Sequence, residues 1–526
     1  MQGKSGRIWI VALILGWVFD FLFWKHAPGV NFAIFVLFCL AGGFYVMRMD
    51  GIKPAYSSLL LVIPILFFTV STFVRQDMLS LFLAVISTLF LMILLVTTYT
   101  GGRWISFGLA DYIVSTLRLG VGAISKPFLQ WLSDRKGNAI DPGTKSKKNR
   151  ILPVLRGILI AIPIIVIFAA LLSSADLVFA QRLDSFVSIF RLEKLPEYIF
   201  RIIYILVAAY LLVGVFLYAA YNSQNEKLIS DENSTVPKFL GMIESSIILG
   251  SVSVLFILFV TIQFQYFFGG QANIHLDGFT YAEYARKGFG ELVVVAFFSL
   301  LLFLGLSGIT QRESPRQKNI FSALGIMVVI LVGIILVSAF QRLGLYESAY
   351  GFSQSRTYAH VFMIWLGVLL LSVVILELLH KEKRFAPAVL LAVIGFSASL
   401  SILNVDGFIV NQNVNRVVTG EKLDIPYLAS LTTDGIPTLK TIYLDPAYSG
   451  IIHEQVGAAL VCMTQGLSNR DTDWRTFTFS QFNGQKAIQV IEGSLKKYTL
   501  STEGFPAKVT TPSGSIIDCQ ASGLMD

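Results

Sequence analysis

Between two long apolar runs the chain carries Phe340-Gln-Arg-Leu-Gly-Leu-Tyr-Glu-Ser-Ala-Tyr-Gly-Phe-Ser-Gln-Ser-Arg-Thr-Tyr-Ala-His360, which holds two arginines, one glutamate, three tyrosines and one histidine. If the preceding helix continues, Arg342, Tyr346 and Tyr350 share one face at four-residue spacing. Gly351 suits a helix stop at positive φ, and Ser353 or Ser355 suits the cap of a following helix that Arg356 enters in its first turn. This hairpin is expected to bring Arg342 and Arg356 together, with Glu347 as internal counter-ion. Two arginines against one carboxylate leave a positive balance suited to a phosphate or carboxylate group. His360 lies one turn after Arg356 on the same face. It reads more simply as a hydrogen-bonded packing residue than as a ligand or proton carrier.

Other polar clusters also sit at the ends of apolar runs: Asp20, Ser173-Ser-Ala-Asp176, Gln263 with Gln265, Thr280-Tyr-Ala-Glu-Tyr-Ala-Arg-Lys287 and Asn404-Val-Asp406. Each has a local explanation. Thr280 and Glu283 have capping-box spacing, Glu283 can pair with Arg286 or Lys287 one turn on, Asp176 can cap a helix, and single tyrosines suit an interfacial belt. As chemistry, Arg342, Tyr346, Glu347, Tyr350, Arg356, His360, Glu283, Arg286 and Asp176 form the candidate ligand-binding set. Glu283, Asp176 and Glu347 are the carboxylates available as a general base. The five histidines are scattered, with no His-Glu-x-x-His and no Cys/His pair at ligand spacing, so no metal site and no cofactor is expected. There is no nucleophile elbow, dinucleotide loop or phosphate-binding loop.

The elements that must position these residues are membrane helices. With 55% hydrophobic and 14% charged residues, the chain cannot be an ordinary soluble domain, whose charged share is about 25%. About eleven runs reach the length needed to span a bilayer: 8–24, 30–47, 57–73, 78–97, 151–172, 199–218, 239–268, 291–310, 320–340, 357–379 and 385–403. Ala27-Pro-Gly29 divides the first two, which leaves open two full spans or a re-entrant pair. The expected fold is an all-α polytopic membrane domain over 1–403 and a small, mostly helical soluble domain over 404–526 that ends in short strands. In the tail, Asp424-Ile-Pro reads as a capped helix start, 447–463 and 474–495 as helices, and the segments near 497–502, 507–511 and 516–519 as strands.

Lysine and arginine concentrate in the connections that a cytoplasmic N-terminus would place inside, which puts the C-terminal domain outside the cytoplasm. Residues 134–150 read as a basic cytoplasmic linker beside anionic lipid headgroups, and nothing aromatic interleaves its lysines, so no nucleic-acid partner is expected. Over 104–133, Ile105, Leu109, Tyr112, Ile113, Leu117, Val121, Ile124, Phe128 and Leu132 recur at helical spacing and predict an amphipathic helix on the inner surface. Cys39 lies in a span, whereas Cys462 and Cys519 both fall in the tail. An outer compartment permits a disulfide between them.

Several segments together carry a resemblance: Asp20 with Ala27-Pro-Gly-Val-Asn31, Leu171-Leu-Ser-Ser-Ala-Asp-Leu-Val-Phe179, Gly278-Phe-Thr-Tyr-Ala-Glu-Tyr-Ala-Arg286, Arg342-Leu-Gly-Leu-Tyr-Glu-Ser-Ala-Tyr-Gly351 with Arg356, Asn404-Val-Asp-Gly-Phe-Ile-Val-Asn-Gln-Asn413 and Asp424-Ile-Pro-Tyr-Leu-Ala-Ser-Leu431. Over about 8–440 the chain resembles a family of bacterial multi-pass membrane proteins known only as a domain of unknown function. The resemblance implies a bacterial cytoplasmic membrane and a helical membrane domain, and it implies no activity. The leading functional reading is an envelope protein that binds an anionic lipid headgroup or envelope precursor at the Arg/Tyr cluster, with the tail docking a partner protein. A transferase or hydrolase acting on a lipid-linked substrate is the alternative. A transporter ranks third, because the charges lie near span ends and no inverted repeat is evident.

Overall fold

The computed structural model describes residues 2–137, 195–224, 238–268, 289–381, 384–418, 420–448, 450–468, 473–502 and 506–520, with Leu228 and scattered positions between 161 and 182. Among the described residues the helices with defined bounds before the tail are α1 (Gln2–Phe23), α2 (Val30–Met49), α3 (Tyr56–Leu59), α4 (Val62–Val74), α5 (Met78–Thr97), α6 (Leu109–Gly137), α7 (Leu195–Tyr221), α8 (Met242–Phe268), α9 (Phe289–Ile309), α10 (Pro315–Tyr350), α11 (Gln354–Leu378) and α12 (Phe385–Leu403). The tail follows with α13 (Val405–Val418), α14 (Ile425–Ser430), α15 (Ile436–Leu444), α16 (Ile451–Ser468), α17 (Phe479–Leu495) and strands β1 (Thr499–Ser501), β2 (Lys508–Thr510) and β3 (Ile516–Asp518). Among the described residues ten helical stretches are long and apolar enough to cross a membrane. The chain is therefore an all-helical polytopic membrane protein with a few short C-terminal strands. Ten of the expected runs are helical spans. The remaining run, 151–172, lies mostly outside the described residues, as does the linker from 138 onward.

Two compact units divide the chain. The first comprises Met1–Lys25, Leu37–Lys53 and Arg118–Asn222. In it α1 lies along α7, and the buried Asp20 accepts from Arg201, whose Nε is 3.1 Å from both carboxylate oxygens. Trp24 Nε1 and Lys25 Nζ both donate to Glu197, at 2.8 and 2.9 Å. The stretch of α6 from Arg118 onward packs on α7, with the Tyr210 hydroxyl donating to the Ile124 carbonyl at 2.6 Å. A Cβ on Gly214 would sit 2.0 Å from the Ala123 carbonyl oxygen, so only glycine allows this approach. Ile113, Leu117, Val121, Ile124 and Phe128 stay more than half exposed, while Tyr112, Ser115, Leu119 and Ala123 are buried. Among the described residues, α6 thus carries one exposed apolar stripe and one buried face.

The second unit comprises His26–Val36, Pro54–Leu117 and Ser223–Asp526. Here α8 and α9 pack along α10, α10 along α11, α11 along α12, and α12 along α5, which pairs with α4. The expected run at 57–73 is a candidate span over Tyr56–Val74 that turns at Leu60 and Leu61 between α3 and α4. Pro64 has no N–H to offer the Leu60 carbonyl, which explains the turn at Leu60 and Leu61. Helix α10 opens with a capping box, in which Ser314 receives the Gln317 N–H and Pro315 takes the first helical position. Its 36 residues make a helix about 54 Å long, well beyond a hydrocarbon core of about 30 Å. Its last turns, after the apolar run 320–340, carry the Arg342–Tyr350 cluster.

The chain leaves α12 through Asn404, whose φ of 49° turns it sharply into α13. Asp424 caps α14 by accepting the Tyr427 N–H at 3.0 Å, as the Asp-Ile-Pro pattern predicts. Helix α17 begins later than expected, at Phe479, because Trp474–Thr476 forms a 3-10 turn and Thr478 supplies the cap. The strands form an antiparallel meander in which Leu500 faces Val509 and Val509 faces Ile517. Val410, Val414, Leu428, Ile436, Val456, Leu460, Ile491 and Val509 make the tail's core, which is continuous with Leu400 of α12 and with Leu79 and Leu83 of α5. Cys462 on α16 and Cys519 just after β3 are joined as a disulfide, with their Cα atoms 5.3 Å apart.

Candidate functional site

Helix α10 stops where Gly351 adopts φ 87° and ψ 169°, a conformation open essentially to glycine alone. A Cβ there would also lie 2.7 Å from Arg416 Nη1 and 2.9 Å from Asn413 Oδ1. Alanine at 351 is accordingly expected to cost about 1–3 kcal/mol, read as a lower melting midpoint of the detergent-purified chain. An unchanged midpoint would mean that the turn tolerates a side chain.

The turn is held from the tail. Asn413 of α13 accepts the Phe352 N–H at 2.8 Å and donates to the Phe352 carbonyl at 2.9 Å, satisfying both backbone groups of one residue. Ser353 occupies the cap position of α11, but its hydroxyl makes no capping bond and instead contacts Ser355 at 3.2 Å. The Tyr427 hydroxyl takes the expected role, accepting the Gln354 N–H at 2.8 Å. Burial pushes that phenol up to about 12, so it stays protonated at neutral pH.

Beneath this turn the tail and the span ends share a buried polar network. Asp406, fully buried, accepts from Gln354 Nε2 at 2.6 Å, from the Thr432 N–H at 2.8 Å and from the Thr432 hydroxyl at 2.6 Å. Asp77, which caps α5, accepts the Tyr358 hydroxyl at 2.9 Å. Asp434 accepts the Gln76 N–H at 2.7 Å and faces Arg75, whose Nε donates to the Ser401 carbonyl. Burial raises the carboxyls of Asp406 and Asp434 above the usual carboxylate range, against hydrogen bonds that favour the charged form.

Above the network lies a cleft of about 160 Å³ lined by Tyr350, Arg356, Arg416, Lys422, Asp424 and Tyr427, among others. The Arg356 guanidinium stacks over the Tyr346 ring at 4.1 Å and donates to the Gly351 carbonyl at 2.5 Å. Arg416 donates through Nε and Nη2 to the Ser348 carbonyl at 3.1 and 2.8 Å. Both arginines are thus oriented by backbone carbonyls, while Lys422 is exposed. Three cations from α11, α13 and the connection to α14 face Asp424, the lining carboxylate among the described residues, while Glu421 pairs with Arg416 from outside the lining at 3.7 Å. The arrangement can receive a small anion with charge-assisted hydrogen bonds.

The residues marked out by sequence divide. Tyr350 and Arg356 line the cleft, and Tyr346 supports Arg356. Arg342 lies two turns earlier on α10 and does not line it, so the expected Arg342–Arg356 mouth is replaced by Arg356 with Arg416. Spacing defines a helix face but not which partner segment meets it, and α13 supplies the second arginine. Glu347 is buried with its carboxylate 3.2 Å from His360 Nδ1, and His360 packs edge-on against Phe340, so this pair sits apart from the lining. Asp176 belongs to the first unit, where Oδ1 accepts the Val178 and Phe179 N–H groups as a helix cap. Glu283 and Arg286 lie outside the described residues. No group of three metal-binding side chains occurs among the described residues. Sequence reasoning missed Asn413, Arg416, Lys422 and Tyr427. Asn413 and Tyr427 fall inside the quoted motifs 404–413 and 424–431, whereas Arg416 and Lys422 carry no local signal.

The family described as a domain of unknown function, DUF4153, matches residues 62–442. That interval takes in the α4–α5 turn, the α10–α11 turn, α13 and Tyr427, and so every residue of the network and cleft named above. No curated protein and no solved structure matches the chain.

Proposed function

We propose that this chain, which belongs to the DUF4153 family, is a non-enzymatic membrane protein of a bacterial envelope that holds a phosphate-bearing lipid headgroup or envelope precursor in the tail-side cleft. The observation that carries this reading is the convergence of Arg356, Arg416 and Lys422 on one cavity, where Asp424 is the lining carboxylate among the described residues and the half-exposed Glu421 pairs with Arg416 at 3.7 Å, which leaves a positive balance. Lysine and arginine distribution supports placing that cleft on the extracytoplasmic face, with the tail above it available to a partner protein. The hydrolase or transferase alternative takes Glu283, Asp176 or Glu347 as its general base. Glu347 is engaged by His360, and Asp424 already accepts the Tyr427 N–H, which favours binding over catalysis.

Lys422→Glu tests the reading with least disturbance, since Lys422 is exposed. Removing one charge-assisted contact and adding a repulsive charge is expected to lower retention of phosphatidylglycerol on the detergent-purified chain by about tenfold. Native mass spectrometry with phosphatidylglycerol against phosphatidylcholine reads this directly. Equal retention by wild type and Lys422→Glu would contradict the role of the cleft.

A further inference from the structure

A second, larger cavity opens at the other ends of α10 and α11. It has a volume of about 750 Å³ and is lined by Lys238, Arg312, Lys318, His380, Lys381 and Arg384, among others. We propose that it is a phosphoester-binding site for the headgroup of an anionic phospholipid in the leaflet opposite the tail-side cleft.

The segments that bear these cations are fixed. The Leu240 N–H donates to the Ile309 carbonyl at 3.2 Å and the Gln311 N–H to the Leu240 carbonyl at 2.9 Å, a short bridge that anchors the Lys238 segment beside the end of α9. Arg312 follows directly. Its guanidinium lies 4.1 Å over the Phe321 ring, donates to the Ser307 carbonyl at 2.6 Å and is 3.8 Å from the buried Glu377. Glu377 also accepts the Ser322 hydroxyl at 2.6 Å, so this buried carboxylate is engaged from both sides. At the end of α11 the His380 N–H bonds Glu377 O and the Lys381 N–H bonds Leu376 O, at 3.0 and 2.9 Å. This closing turn puts His380 at φ 52°, a left-handed conformation unusual for a side-chain-bearing residue, and it delivers Lys381 to the cavity. Pro315, at the start of α10, is a lining residue too, so the positive end of a 36-residue helix adds to the field.

Among the described residues the charged lining is all basic, and a concavity of one sign of charge concentrates counter-ions. Basic pockets between membrane helices suit phospholipid headgroups in particular. The surroundings favour a lipid over a soluble anion, because Phe239, Ile320, Leu378 and Leu379, neighbours in sequence of the lining residues, are 65%, 47%, 62% and 55% exposed. A headgroup held by Lys318 and Lys381 would leave its acyl chains against those apolar side chains.

Amine acetylation of the full chain in neutral detergent, mapped by mass spectrometry, tests the site locally. Micellar dioctanoyl-phosphatidylglycerol is expected to slow acetylation of Lys318 and Lys381 by about fivefold, with dioctanoyl-phosphatidylcholine leaving it unchanged. Arg384→Glu, and to a smaller degree Arg384→Gln, is expected to remove that protection while leaving Lys422 as in wild type. Protection by inorganic phosphate equal to that by phosphatidylglycerol would support the phosphoester site but assign it a soluble ligand. Unprotected Lys318 and Lys381, or equal protection by both lipids, would overturn the proposal. Lys422 reports on the tail-side cleft in the same map, so the two sites succeed or fail separately.

Discussion

Alanine in place of Asp406 is expected to destabilise the docked tail by about 3–5 kcal/mol, since each buried donor left without its acceptor costs roughly 1–3 kcal/mol. Asp406 is fully buried and receives the Gln354 amide, the Thr432 N–H and the Thr432 hydroxyl. Its carboxylate thus joins the first turn of α11 to the segment between α14 and α15. Protease sensitivity and the melting midpoint of the purified chain both read the loss. Asp406→Asn is expected to cost less, because one oxygen still accepts from Thr432. The sign of the pH dependence follows from burial. The folded-state carboxyls of Asp406 and Asp434 are raised above their ordinary 3.8, so their contribution is complete below that value and declines as pH rises through the raised one. Asp473 is held below the usual range by Arg475 and loses its contribution only as pH falls below 3.8. Above 3.8 the net trend expected for tail docking is therefore weakening with rising pH, and Asp406→Asn should flatten it. A wild-type midpoint that rises with pH through this window would count against the burial argument.

Breaking the Cys462–Cys519 link is expected to have a comparable effect. The two cysteines are 57 residues apart, and opening a loop of that size releases about 4 kcal/mol worth of chain entropy in the unfolded state. The bond ties α16 to the end of β3, so Cys462→Ser with Cys519→Ser should loosen the β-meander first. Loss of protection at Val509 by hydrogen exchange would register this, as would a shift between reducing and non-reducing gels of the wild type. Identical mobility with two titratable thiols would show that the tail holds without the bond.

The spans were legible because nothing but a bilayer explains apolar runs of such length. Local chemistry was legible in the same way. Asp424 with Pro426 announced α14, and Gly351 announced the end of α10. The break between α3 and α4 was readable in principle from Pro64, whose cost falls four residues upstream. What sequence could not supply was the identity of long-range partners. Asp406 meets Gln354 and Thr432 across 52 and 26 residues, and Arg75 meets the Ser401 carbonyl across 326. No periodicity encodes such pairs. For the same reason the four-residue spacing of Arg342, Tyr346 and Tyr350 correctly put Tyr346 and Tyr350 together, with rings 4.9 Å apart. It gave no warning that Arg416 of α13 would complete the cleft, or that His360 would take Glu347.

On the proposed reading the tail forms part of the binding surface, since it supplies Asn413, Arg416, Lys422 and Tyr427 to the turn between α10 and α11. A structure of the full chain in nanodiscs containing phosphatidylglycerol tests this most directly. The account predicts headgroup density within hydrogen-bonding distance of Arg356, Arg416 and Lys422, absent when phosphatidylcholine is the only lipid. A cleft left empty in saturating phosphatidylglycerol, with Arg356 and Arg416 still bound to the Gly351 and Ser348 carbonyls, would contradict it.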